Sequence, residues 1–224
     1  MISIIVPVLN EEKNIEKLLI HLDSLEGEKE VIVVDGGSCD KTVDIASKYT
    51  KVIHSKRGRA NQMNDGAKVA MGDILWFVHS DSKLHNRSLK SIEEAIQNNC
   101  IGGGFSLYFY DYNTLFMGFV AITSNLRARF LGLIFGDQGI FVRRDIFLKL
   151  GGYPDIDLME DWELSKKLYK SGRVMILKTP IGTSARRFKG GGQLKTLLLM
   201  HKIKILYLLG VSPQRLKDIY REAR

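Results

Sequence analysis

The chain has 224 residues, 45% of them hydrophobic, and its 33 Lys/Arg outnumber 25 Asp/Glu to give a formal net charge of +8. That is enough apolar material for a full core, and neither an internal repeat nor a low-complexity linker interrupts it. Two cysteines, Cys39 and Cys100, exclude a disulfide framework and lack the CxxC spacing of a zinc ribbon, which suits a reducing cytoplasm.

Residues 2–8 form a continuous β-rich run that predicts the first strand, and the basic n-region of a signal peptide is missing from MISIIVPVLNEE. Ile15, Leu18, Leu19 and Leu22 then fall at helical spacing, with Glu11 and Glu12 in the likely first turn, so an amphipathic helix packs back on the sheet. Residues 30–34 predict a strand, 43–49 a helix, 51–54 a short strand, and 60–71 a helix that Gly72 stops. The apolar run of GDILWFVHSDS places a strand at 74–78. The second half is less regular. Residues 102–110 read as a strand, and 115–135 as an apolar stretch interrupted by Arg127, Arg129 and Gly132. A strand at 138–142, a helix at 161–171 and a strand at 174–177 follow. An apolar-rich helix carrying Lys195, His201, Lys202 and Lys204 spans 193–209, and Ser212-Pro213 opens a short last one. No stretch reaches the ~18 consecutive apolar residues of a spanning helix. Alternation of this kind predicts an α/β fold, a mixed and mainly parallel sheet flanked by helices with C-terminal amphipathic helices. The expected organisation is one domain over 1–190 and a basic helical extension over 191–224.

Charge is unevenly placed. Residues 165–224 hold 15 Lys/Arg against only Asp218 and Glu222, a local sum of +13, which leaves −5 for residues 1–164. Such a block suits an anionic partner, whether phospholipid, nucleic acid or a phosphorylated ligand, or else a solvated helix face.

In open α/β sheets ligands collect beyond the carboxyl ends of the strands. There the first strand is followed by PVLNEE, whose two acids would repel a pyrophosphate, and GxGxxG, the P-loop, HExxH and GxSxG are all missing. After the second strand comes Asp35-Gly36-Gly37-Ser38, which reads either as an ordinary turn or as a carboxylate that accepts from a base imide or a ribose hydroxyl. Lys56-Arg57-Gly58-Arg59 places cations where a helix begins, an anion site or a solvated basic loop. Asp81 ends the strand at 74–78 and is suited to Mg2+ or Mn2+, which take one or two protein carboxylates and complete their shell with substrate phosphates. His79, two residues earlier on an extended chain, points to the same side, as a ligand or as wall. Glu160-Asp161 opens a helix, where acids contribute about 0.3–1 kcal/mol through the dipole. Successive helical residues point about 100° apart, so at most one of the two faces a pocket.

SIIVPVLNEEKNIEKLL, EVIVVDGGSCDKT, SKRGRANQMNDGAKVAMGDILWFVHSDS and GDQGIFVRRDIFLKLGGYPDIDLMEDWELSKKL occur in the order and spacing of family 2 glycosyltransferases, enzymes of the GT-A fold. The resemblance spans residues 1 to about 175. The RGRANQMN, GDQGIF, TSARR and YLLGVSP stretches resemble most the bacterial subset named for its association with radical-SAM/selenodomain proteins. Position by position, the resemblance implies a nucleotide pocket of Pro7, Asn10, Glu11 and Asp35, with Arg57 or Arg59 on the diphosphate. It makes Asp81 the last position of the Asp-x-Asp metal motif and Asp161 the catalytic base. Gly136-Asp137-Gln138 matches a segment on the acceptor side, where Asp137 and Gln138 would hold sugar hydroxyls beside Glu160. The reaction implied is inverting transfer from a nucleotide-diphosphate sugar, with Mn2+ or Mg2+, to an acceptor hydroxyl. His79 stands where many members have the first Asp of the metal motif, and Arg186 and Arg187 stand where many offer a His. These arginines would neutralise the diphosphate directly and reduce reliance on metal.

The helix at 193–209 is too short and too charged to cross a bilayer, and its leucines and lysines suit a membrane interface, a second subunit or the protein's own core. An interface would imply a lipid-linked acceptor and a cytoplasmic protein peripheral to the inner face of the membrane. Two rival readings stand beside this one. A sugar nucleotidyltransferase-like enzyme would carry a Gly-rich basic loop after the first strand, which PVLNEE is not. A non-catalytic basic module would bind RNA or membrane through 165–224; no RNA-binding motif is present, and no nucleic-acid partner is expected.

Overall fold

Residues 2–8 alternate sides as a strand must, yet both sides are apolar. Ile2, Ile4 and Val6 enter one buried cluster and Ile5 the other. A strand covered on both faces needs helices above and below the sheet, and the computed structural model, which describes residues 1–222, supplies them. Ala223 and Arg224 of the expected extension lie outside the described residues.

The first half comprises β1 (Ile2–Val8), α1 (Ile15–Ser24), β2 (Lys29–Asp35), α2 (Thr42–Ala46), β3 (Lys51–His54), α3 (Arg59–Val69) and β4 (Ile74–Phe77). The second comprises α4 (Ser88–Gln97), β5 (Gly102–Phe109), α5 (Leu115–Leu131), β6 (Phe141–Arg143), α6 (Arg144–Lys149), α7 (Glu160–Ser171) and β7 (Val174–Thr183). Then come α8 (Arg186–Gly191), α9 (Gln193–Leu208) and α10 (Pro213–Glu222). The seven strands run in the order β3-β2-β1-β4-β6-β5-β7. All neighbours are parallel except β6, which is antiparallel to β4 and to β5. One cluster joins β1 to Leu18 and Leu22 of α1 and Leu89 and Ile92 of α4. The other joins Ile5 to Ala60, Met63 and Ala67 of α3 and Leu164 and Leu168 of α7. At the centre Trp76 and Phe105 lie 5.4 Å apart and Phe105 and Phe141 6.1 Å apart, contacts that add about 0.5–1.5 kcal/mol each beyond area burial.

Three expectations need correction. The strand expected at 138–142 is a 3-10 turn over Gly136–Gln138 followed by β6. The stretch at 115–135 is a helix up to Leu131. Thr114 Oγ1 accepts from the Met117 N–H at 3.2 Å, and Gly132 closes the helix with φ 65°, so Gly132 is its stop rather than an interruption. β7 extends to Thr183, beyond the residues expected at 174–177. α4, α6 and α8 were not expected from the sequence, although α4 carries Leu89, Ile92 and Ala95 at helical spacing and buries them.

Candidate active site

β2 and β4 flank β1 on opposite sides, and the chain returns from β3 to β4 across it, which makes the β1/β4 border a topological switch point. An open cleft of about 1380 Å³ lies at that carboxyl edge. Its walls come from the ends of β1 and β4, the start of α3, the start of α7, α8, and one side of α5, α9 and α10.

Asp81 is held by its backbone. Its carbonyl accepts from Tyr110 Oη at 3.1 Å, and two residues on, Lys83 and Gly182 exchange backbone hydrogen bonds at 2.8 Å. Opposite it, Arg186 sits at the start of α8, a helix anchored by Asp111, which accepts from the Ala185 N–H at 2.7 Å and from Ser184 Oγ at 2.8 Å. One Arg186 nitrogen reaches Glu11 Oε1 at 3.2 Å and Asp81 Oδ2 at 3.4 Å. Burial pushes the Asp81 carboxyl above its ordinary value, with the Arg186 charge opposing. The expectation that His79 and Asp81 share a side is corrected. The Ser82 N–H donates to the His79 carbonyl at 3.0 Å, so 79–82 is a turn and strand alternation stops. A Cβ on Gly136 would lie 2.7 Å from His79 Nε2 and 3.0 Å from Asp161 Oδ2, which puts the imidazole on the Asp161 side. Burial and the surrounding arginines lower its pKa to about 3, leaving it neutral. Among the described residues no group of three or more His, Cys, Asp or Glu could hold a metal ion. Asp81 alone fits the smaller donor set that Mg2+ or Mn2+ uses with substrate phosphates.

Asp161 is built into α7 and aimed by two fixed neighbours. Ser165 Oγ donates to the Ile134 carbonyl at 2.7 Å and accepts from the Ile134 N–H at 3.1 Å, which pins the approach to Gly136. The Gly136 N–H then donates to Asp161 Oδ2 at 2.9 Å, a close approach that any side chain at 136 would block. Asp161 Oδ1 is buried with no hydrogen-bond partner. Burial and the adjacent Glu160 carboxylate raise the Asp161 pKa to about 8. Glu160 is raised too, chiefly by burial. The expectation that at most one of the two acids faces a pocket is corrected: both Glu160 and Asp161 line the cleft. Asp137 lines it as well. Gln138 is corrected: it is 0% exposed. Its amide accepts from Arg127 at 2.8 Å and donates to the Phe105 carbonyl at 3.3 Å, so it braces the wall rather than meeting a ligand.

Residues 3–151 match Glycosyl transferase family 2, about two thirds of the chain. The chain belongs to that family. It is 24% identical over 198 residues to the Probable glycosyltransferase YdaM of Bacillus subtilis, an alignment covering 76% of this chain and 47% of the relative. This family 2 chain therefore spans about half the length of that relative. Among solved structures it resembles Staphylococcus aureus TarS 1-349 in complex with UDP-GlcNAc, with TM-score 0.67, 22% identity, and 83% of this chain and 58% of that chain covered. It also resembles the mannosyltransferase PcManGT of Pyrobaculum calidifontis in complex with GDP-Man and Mn2+, with TM-score 0.66, 18% identity, and 99% and 68% covered. The fold is GT-A.

Of the residues expected to form the nucleotide pocket, Pro7, Glu11, Arg57 and Arg59 line the cleft, whereas the exposed Asn10 and the buried Asp35 do not. Asn10, at φ 55°, accepts the Cys39 N–H at 2.9 Å and so ties the loop after β2 to the end of β1. Asp35 accepts from the Gly37 and Ser38 N–H groups at 3.0 Å, which holds its carboxyl below the ordinary value despite burial. Arg187 stacks over Tyr220 of α10 at 4.6 Å. Sequence reasoning missed Gln62 and Asn64. Gln62 Nε2 donates to both the Val8 and Val34 carbonyls, at 2.8 and 2.9 Å, clamping β1 to β2 beneath Arg59. Asn64 pairs with the Tyr153 backbone at 2.8 and 2.9 Å, fixing the loop that leads to Glu160. Both lie in the RGRANQMN stretch, but at i and i+2 they leave α3 in different directions, so their spacing carried no signal. It also missed the part played by Lys204, which α9 brings into the cleft.

Proposed function

We propose that this chain transfers a sugar from a nucleotide-diphosphate donor to an acceptor hydroxyl with inversion at the anomeric carbon. The observation that carries the reading is Asp161, whose one oxygen is fixed by Gly136 while the other is partnerless in the cleft that Arg186 and Asp81 border. The acceptor O–H proton passes to Asp161, the acceptor oxygen bonds to the anomeric carbon, and the bond from that carbon to the diphosphate oxygen breaks. One carboxylate suffices because the diphosphate leaves readily; a glycosidase needs two flanking the bond. Arg57, Arg59, Arg186 and Arg187 offset the charge that develops on the diphosphate. A Mg2+ or Mn2+ ion held by Asp81 supplies further neutralisation. Pro7, Asn10, Glu11 and Asp35 frame the nucleotide, and Asp137 and Glu160 the acceptor. This assignment treats 1–190 as the glycosyltransferase domain and 191–224 as an extension that walls its acceptor side. The RGRANQMN and TSARR stretches support a place in the radical-SAM/selenodomain-associated subset. The complexes of TarS with UDP-GlcNAc and of PcManGT with GDP-Man and Mn2+ support the donor class.

A thermal-shift screen of nucleoside diphosphates and their sugars with Mn2+ and Mg2+ tests the donor class. At least one nucleotide should raise the unfolding midpoint, and Asp81→Ala should remove the part that depends on metal. No shift with any nucleotide contradicts the reading.

The acceptor side also supports a lipid-linked acceptor and a cytoplasmic enzyme peripheral to the inner face of the membrane. Leu115, Phe119, Ile122 and Leu126 form one exposed stripe of α5, and Leu194, Leu198, Ile205 and Leu208 one of α9. Exposed Lys195 and Lys202 accompany the second stripe, which suits an anionic bilayer. No helix among the described residues is long and apolar enough to cross a membrane. The protein should pellet with phosphatidylcholine/phosphatidylglycerol vesicles and release with salt, while Phe119→Glu/Leu198→Glu protein stays in solution. Wild-type protein that remains monodisperse without detergent and does not pellet would overturn the membrane reading.

A further inference from the structure

Next to Asp161 the cleft holds a charged group that donor chemistry does not use. Arg127 of α5 spends two N–H donors on its own wall, from Nε to the Leu133 carbonyl at 3.1 Å and from a terminal nitrogen to Gln138 Oε1 at 2.8 Å. Its guanidinium carbon stands 4.1 Å from the centroid of Phe135. Lys204 of α9 places Nζ 5.3 Å from the same ring. Asp137 lies between them in charge, with Oδ1 buried and partnerless. All four residues line the cleft.

Two cations sharing one aromatic ring repel each other and lose hydration, a cost that a single carboxylate does not cancel. Burial lowers the affinity of both Arg127 and Lys204 for their protons, Lys204 to about 8, and raises that of Asp137. All three groups are therefore poorly satisfied as they stand, although the guanidinium is rigidly held. A preorganised cation pair of this kind is relieved by an anion that accepts from both. The position matters as much as the charge. Asp137 follows Gly136, whose N–H orients Asp161, so the cation pair borders the place where the acceptor hydroxyl must lie.

Resting on the glycosyltransferase reading, we propose that the acceptor carries a phosphoryl group close to its reacting hydroxyl, and that Arg127 and Lys204 bind this group against Phe135. A phosphomonoester brings about 1.5 to 2 negative charges at neutral pH, matching two cations, and its several oxygens can meet both at once. The phosphoryl source is either a small phosphorylated alcohol or a phospholipid headgroup.

Titration calorimetry on protein saturated with whichever nucleoside diphosphate the thermal-shift screen selects (UDP or GDP), which fills the donor side, tests this with glycerol 3-phosphate against glycerol. Glycerol 3-phosphate should bind at least about tenfold more tightly, the scale of a hydrogen bond to a charged group. Lys204→Gln should lose about that factor while affinity for that nucleoside diphosphate is unchanged. Arg127→Lys, which keeps the charge and loses the two-bond brace, should lose part of it, with its unfolding midpoint checked alongside. Phosphatidylcholine vesicles with and without phosphatidic acid then separate the sources. Tighter binding to phosphatidic acid than to the soluble ester assigns a lipid phosphate, and the reverse assigns a soluble one. Equal binding of glycerol and glycerol 3-phosphate, or full binding by Lys204→Gln protein, overturns the proposal. So does a Lys204→Gln effect on nucleotide-sugar affinity instead, since that gives the cations to the donor. Failure of wild-type protein to bind any nucleoside diphosphate strikes the glycosyltransferase reading itself.

Discussion

Asp161→Asn lowers glycosyl transfer by roughly 10²- to 10⁴-fold, the usual contribution of a positioned general base, and leaves nucleotide-sugar affinity unchanged. Asn keeps an oxygen that accepts the Gly136 N–H, so the brace seen at 2.9 Å survives while the proton acceptor is lost. The wild-type rate should rise as pH passes through about 8, because burial and Glu160 hold the Asp161 proton to that range. In Asp161→Asn protein that limb disappears. Stability changes in the opposite sense. A carboxyl whose folded pKa is raised from 3.8 to about 8 makes the folded state bind more protons over that interval. Its contribution is therefore full at the acid end and lost as pH rises through 8. Asp161→Asn protein should melt higher than wild type at pH 8–9 and show a flatter pH profile, measured by thermal denaturation across the range. Unaltered turnover in the variant disproves the role of base.

Arg186→Ala should cost roughly 10²- to 10³-fold in transfer, the loss expected when a preorganised charge aimed at a developing anion is removed. Arg186 lies 3.2 Å from Glu11 and 3.4 Å from Asp81, so it also screens two acids that otherwise repel across the cleft. Removing it frees both carboxylates, and the donor-free variant should bind Mn2+ more tightly than wild type, read by calorimetry without turnover. Transfer by the variant should in turn depend more steeply on added Mn2+. Arg186→Lys should recover only a minor part, because a point charge on a flexible stem does not reproduce a planar fork between two oxygens. Undiminished activity in Arg186→Ala/Arg187→Ala protein would remove the arginines from the diphosphate site.

The early strands and their order of use were legible in the residues themselves. Ile2 to Val8, with both faces apolar, can only be a covered central strand, and the polar groups after β1, β2 and β4 mark its carboxyl edge. The motifs carrying the family resemblance sit there as well, since a loop that must meet a diphosphate keeps its chemistry in contiguous residues. Less visible were the elements whose stability comes from packing. α8 is six residues long, and β6 is three residues long and antiparallel, so each is too short to show a period of its own and depends on neighbouring surfaces.

The site divides in the same way. Sequence alone placed Asp81 after a strand and Asp161 at a helix start, while Arg186 entered only through the family resemblance. Only the tertiary structure decided which groups meet. The turn at 79–82 sends His79 to Asp161 rather than to Asp81, and Gln138 goes into the wall behind Arg127. Lys204, 67 positions after Asp137 in the chain, lines the same cleft because Ile203 and Leu216 bury against Met159 and Trp162. Local spacing reports which way a side chain leaves its own strand or helix. Which charges share a low-dielectric pocket is settled by apolar contacts between segments far apart in sequence, and no local pattern encodes those.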